Sequence, residues 1–130
     1  MWPPEYSRTS AANGKAVMKI ITSPQTKENC FANVQLLEGG LIKAVVDIQK
    51  EIIALDAGMH VDLEQYLLES GSLQEHLWGI NFYPELTTEQ WIEFDSMINI
   101  RPKQGNRSRN VEDLTTQEKI KAIVNKLIIT

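Results

Sequence analysis

The chain has 130 residues, 42% hydrophobic and 23% charged, which is ordinary composition for one globular domain and excludes fibrous and disordered classes. Thirteen basic and seventeen acidic residues give a net charge of −4, so the protein is not basic throughout. The single cysteine, Cys30, excludes an internal disulfide framework, and two histidines, His60 and His76, leave little for a metal centre. Neither a metal nor a cofactor is expected, and no run of about 18 apolar residues predicts a membrane span.

Residues 1–17 hold Pro3-Pro4 with Ser, Thr, Asn and Gly and show no hydrophobic period. They also lack the basic start and apolar stretch of a secretory signal. They are expected to be a disordered extension, with residues 18–130 forming one folded domain. Met18–Thr22 reads as a short strand that Ser23-Pro24 breaks. Cys30, Phe31, Val34 and Leu37 recur at helical spacing and predict a helix from about Thr26 to Glu38, ended by Gly39-Gly40.

Leu41–Ile48 alternates, sending Ile42, Ala44, Val46 and Ile48 one way and Lys43, Val45 and Asp47 the other. Glu51–Leu55 is its hairpin partner or its continuation past a bulge. Asp62–Glu69 reads as a helix with Asp62 as N-cap, with a strand over Leu63–Glu69 as the competing reading. His76–Tyr83 is a strand with Trp78, Ile80 and Phe82 on one face. Gln90–Arg101 reads as the most regular strand, Ile92, Phe94, Ile98 and Ile100 alternating against Trp91, Glu93, Asp95, Asn99 and Arg101. Pro102 ends it, since proline cannot donate to a ladder. A capping box at Thr115–Glu118 opens a last helix with Ile120, Ile123, Val124 and Leu127 inward.

The order is therefore β-α-β-β-α-β-β-α. Alternating strands predict a sheet covered on one face, hence an α+β fold: a mostly antiparallel sheet with helices on one face. The other face collects Lys43, Asp47, Asn81, Tyr83, Trp91, Glu93, Asp95, Asn99 and Arg101, the inventory of a polar ligand platform. Trp91 stands out there, because an exposed indole calls for a cover: a ligand, or a second copy in a twofold dimer.

Residues 101–109, RPKQGNRSR, carry four basic residues and no acidic one, leaving nine basic against seventeen acidic elsewhere. A +4 loop on a −8 body is the strongest charge asymmetry in the chain. Arg side chains suit bidentate phosphate contacts, so Arg101, Lys103, Arg107 and Arg109, with Asn99, Trp91 and Tyr83 alongside, are the expected ligand-binding residues. The alternative reads His60, Asp62 and Glu64 as acid–base groups of a small hydrolase or nuclease, since alternate positions after a turn bring them near one another. His60 beside Arg101 or Arg107 in one pocket favours that enzyme, and separation favours a binding module. A pure protein-interaction domain is the remaining class. The expected partner is a nucleic acid or a phosphorylated small molecule, met in the cytoplasm and not at a membrane.

HVDLEQYLLESGS, QEHLWGINFYPE and IEFDSMINIRPKQGNRS, in that order, resemble a small bacterial family of unknown function, frequent in cyanobacteria. The resemblance runs from about Met18 to Leu127, with LWGINFYP and INIRPKQGNRS its most specific stretches. Members read Glu-Asp where this chain has Glu75-His76, so it implies no shared catalytic role for His76. It implies a stand-alone intracellular domain with no established activity and supplies no catalytic residue.

Overall fold

A computed structural model describes residues 18–130, and the disorder expected of residues 1–17 lies outside the described residues. The elements run β1 (Lys19–Ile21), β2 (Gln25–Thr26), α1 (Lys27–Phe31), β3 (Ile42–Asp47), β4 (Ile52–Leu55), α2 (His60–Glu69), β5 (Leu77–Phe82), β6 (Ile92–Glu93), α3 (Leu114–Leu127) and β7 (Ile128–Ile129). Five strands form an antiparallel sheet in the order β1-β4-β3-β5-β6, and β2 pairs in parallel with β7. The fold is α+β, as expected.

Alternation along β3 builds the main core. Ala44 and Val46 stand opposite Leu55 and Ile53 of β4 and opposite Ile80 and Trp78 of β5. This layer packs against Ile120, Ile123, Val124 and Leu127 of α3, every one of them buried. The reverse face is not left to water. Val45, Ala54, Ile20 and Leu77 form a second cluster with Leu63 and Leu67 of α2, so helices lie on both faces of the sheet. The expectation of one covered face fails because Val45, Ala54 and Ile20 make half of the second face apolar, and burying it is worth about 25 cal/mol per Å².

Asp47, expected on the open polar face, is fully buried. Its Oδ1 accepts the backbone N–H groups of Gln49 and Lys50, and its Oδ2 accepts the Ser72 hydroxyl at 2.6 Å. It is a hairpin cap, since Asp readily bonds backbone two residues on in a turn.

Two elements are shorter than their periodicity predicts. The first helix stops at Phe31 and not at Glu38. The Lys19 ammonium donates to the carbonyls of Asn29, Cys30 and Ala32, taking up the helix end, and Asn33 turns the chain away at φ 63°. The long strand at Gln90–Arg101 is reduced to Ile92–Glu93, flanked by 3-10 turns at Glu89–Trp91 and Met97–Asn99. Phe94 and Ile98, expected on one face, pack with the first and second clusters respectively. Helix α2 begins two residues before the expected cap, so Asp62 lies in its first turn. Helix α3 is capped by Asp113, whose Oδ2 accepts from the Thr116 N–H and hydroxyl, not by a box at Thr115.

Candidate functional site

Helix α2 covers only part of the second face. Beyond its first residue the register Lys43↔Asn81↔Glu93 crosses β3, β5 and β6 and sets these three side chains in a row on that face. The row floors a cleft of about 370 Å³, walled by Met59, His60 and Val61 on one side and by Ser96, Met97 and Ile98 on the other. Asp95, Arg109, Tyr83 and Leu41 complete it.

Its polar groups are fixed by one another. Asn81, 5% exposed, donates its amide to Glu93 Oε1 at 2.9 Å and to the Asp95 carbonyl at 3.2 Å. The Tyr83 hydroxyl donates to the same Glu93 oxygen at 3.0 Å, and loss of solvent, with the Glu93 carboxylate beside it, raises the phenol's pKa. Asn81 Oδ1 is buried without a hydrogen-bond partner among the described residues. The Arg109 guanidinium bonds Asp95, which raises its pKa and leaves little free charge at that corner. Lys43 differs: its ammonium makes no ion pair or hydrogen bond with any described residue.

His60 sits at the wall, 8% exposed, with Nε2 donating to the Ile80 carbonyl at 2.8 Å. Burial lowers its pKa, Lys43 adds to that, and the Ile80 carbonyl, Asn81 and Asp95 pull the other way. The ring is therefore the neutral Nε2–H tautomer at pH 7, and a cation is disfavoured there.

Of the residues expected to act together, the cleft unites His60, Tyr83 and Arg109. Asp62 is exposed outside it, while Glu64 is buried one turn on, accepting from Gln74 at 3.4 Å. The His60, Asp62 and Glu64 side chains thus do not converge. Arg101 lies apart from His60, its guanidinium 4.2 Å over the Trp78 ring and bonded to the Gln74 carbonyl. Lys103 is exposed, and Arg107 has Glu112 beside it, which accepts both its backbone N–H and the Ser108 hydroxyl.

The basic loop is held from within. Asn106, 3% exposed, donates to the carbonyls of Asn99, Ser108 and Asn110 and accepts the Glu112 N–H. Asn99 is fully buried and bonds Gly79 and the Arg109 carbonyl. Trp91 is on the apolar face, 8% exposed, stacked 4.9 Å from Phe82 with Lys27 over its ring. It needs no cover from a second copy, because residue 91 falls in a 3-10 turn and not in the alternation of a strand. Lys43, Asn81 and Glu93 belong to the polar inventory read from the sequence, but Met59, Val61, Ser96 and Met97 carry no signal there.

Among the described residues no group of three His, Cys, Asp or Glu side chains is placed to hold a metal ion. No helix in that range is long and apolar enough to cross a membrane.

Fold and cleft together define an α+β domain with a small recess of mixed polar and apolar lining on a sheet face. The chain belongs to the family described as protein of unknown function (DUF5674), which matches residues 19–127. No curated protein and no solved structure matches it.

Proposed function

We propose that the chain is a binding domain for a small anionic metabolite, phosphorylated or carboxylated, held in the cleft over β3, β5 and β6. The observation that carries this reading is Lys43: a lysine ammonium on the floor of a recess of about 370 Å³, with no ion pair or hydrogen bond to any described residue. Recesses of this size suit small molecules, and an unpaired cation at the floor supplies the attraction for an anion. The basic loop supports a nucleic-acid partner less well. Arg109 is bonded to Asp95, Glu112 lies beside Arg107, where it accepts the backbone N–H, and Arg101 is packed on Trp78, so part of the +4 field is met from within.

The cytoplasm suits a chain whose one cysteine is buried and unpaired. Amide NMR titration with acetate, inorganic phosphate, a sugar phosphate, single-stranded RNA and duplex DNA tests the reading. The small anions are expected to shift the Lys43, Asn81 and Glu93 signals, and Lys43→Gln to remove the response. Shifts confined to residues 101–109 with nucleic acid would overturn it.

A further inference from the structure

The cleft has two charges that do not meet. Lys43 and Glu93 flank Asn81 on neighbouring strands, both line the recess, and they form no ion pair with each other. Two strand spacings put their α-carbons about 10 Å apart, and the gap between the side chains lies over Asn81. The other charged pair in the cleft, Arg109 and Asp95, is already closed on itself at 2.5 Å.

Glu93 is held so that one oxygen remains open. Asn81 and Tyr83 both donate to Oε1, and Oε2 accepts from no described residue. A carboxylate fixed on one oxygen is a preorganised acceptor at the other, because its rotamer entropy is already lost. Around this separated pair stand apolar side chains facing solvent. Met59, Val61 and Met97 are 58%, 46% and 64% exposed at the rim. Methionine adapts its shape to an apolar guest.

The geometry points to a ligand that is a zwitterion with an apolar substituent, of the class of the apolar α-amino acids. This rests on the anion reading above and adds to it an ammonium on Glu93 and an apolar group against Met59, Val61 and Met97. Lys43 takes the ligand's acid group. A simple anion satisfies Lys43 and leaves the open Glu93 oxygen facing it, a repulsion that an ammonium turns into attraction. His60 in its neutral form adds no positive charge to oppose that ammonium.

The test uses the full chain, with three matched probes followed by calorimetry and amide NMR: leucine, isocaproate (the same acid without the ammonium) and isoamylamine (the same amine without the acid). Valine and phenylalanine, each with its ammonium-free acid, extend the series in size. An apolar amino acid is expected to bind about tenfold tighter, or better, than its ammonium-free acid, with shifts at Lys43, Asn81 and Glu93. Glu93→Gln keeps an acceptor for Tyr83 and Asn81 and is expected to erase that difference. Equal binding of amino acid and ammonium-free acid would overturn the zwitterion while leaving the anion reading intact. Binding of the amine alone as tightly as the amino acid, or no shift in the cleft with any acid, would overturn both. The wild-type comparison decides the matter even if the Glu93 variant fails to fold.

Discussion

The carboxamide of Asn99 pairs with the peptide of Gly79 as a neighbouring strand would: Oδ1 accepts the Gly79 N–H at 2.8 Å and Nδ2 donates to the Gly79 carbonyl at 3.0 Å. A side chain thus completes the outer edge of β5 where β6 does not reach. Gly79 permits the approach, since a Cβ there would stand 2.5 Å from the Ser96 Cβ.

Asn99→Ala leaves the N–H and the carbonyl of Gly79 without partners, while the Arg109 carbonyl keeps the Ser96 N–H. Each buried polar group so orphaned costs about 1–3 kcal/mol, so a loss of about 3 kcal/mol or more is expected by urea titration. Gly79→Ala should destabilise by a similar order through overpacking against Ser96. Glu93→Gln, half-exposed, serves as the control and should cost less than about 1 kcal/mol. Equal losses at residues 93 and 99 would refute the edge role.

Asn106 holds the basic loop by four hydrogen bonds to backbone groups. Asn106→Ala is expected to lower stability by about 2–3 kcal/mol and to raise amide exchange across residues 99–112. Arg107→Glu, on an exposed side chain, should change stability by less than about 0.5 kcal/mol. If the loop keeps its protection without Asn106, its shape comes from elsewhere.

Lys19 donates to three carbonyls at the end of α1. Lys19→Met retains the stem and removes the donor, and should cost about 1–2 kcal/mol with faster exchange in residues 27–33. An unchanged melting curve would show that α1 ends without it.

Stability should fall with acid through His60. Its pKa is lowered from the ordinary 6.5, so between those two values the unfolded chain binds the extra proton. The slope is then positive: stability is complete above 6.5 and is lost as pH falls, by up to about 1.4 kcal/mol per pH unit. The Glu51 and Glu112 carboxyls are also lowered, from 4.5, and lose their contribution only in more acid solution. Urea titrations between about pH 7.5 and pH 5 should show the slope in the wild type and a flatter profile in His60→Gln. Parallel profiles would place the proton uptake elsewhere.

The anion reading predicts that ligand affinity depends on Lys43 and hardly on Lys103. Lys43→Gln should weaken a bound small acid about tenfold or more, and Lys103→Gln by less than about twofold. Calorimetry on the two variants checks it, and the reverse order would move the site to the basic loop.

Local pattern accounts for much of the fold. The period of two in β3 and β5 and the stripe Ile120, Ile123, Val124 and Leu127 in α3 were legible because burial repeats with the backbone geometry itself. The same logic misread residues 26–38 and 90–101. There the apolar spacing is real, but Lys19 takes up the end of one element, and in the other the Asn99 side chain bonds the Gly79 peptide where a strand would have used its backbone. Periodicity reports which side chains are buried, not which backbone groups bond to which.

What the sequence by itself determined is the α+β class, the core faces of the central strands and the roster of polar residues from which a site had to be drawn. Its charge pattern pointed to residues 101–109, yet charge along the chain says nothing of neighbours in space. Only the tertiary structure placed Asp95 against Arg109 and set Lys43 at the floor of a recess with no ion pair to a described residue. Cross-strand register and the packing of α2 on the sheet decided both. These are long-range packing outcomes, set by the burial of Leu63 and Leu67 on Val45 and Ala54, and no window of sequence contains both sides of that contact.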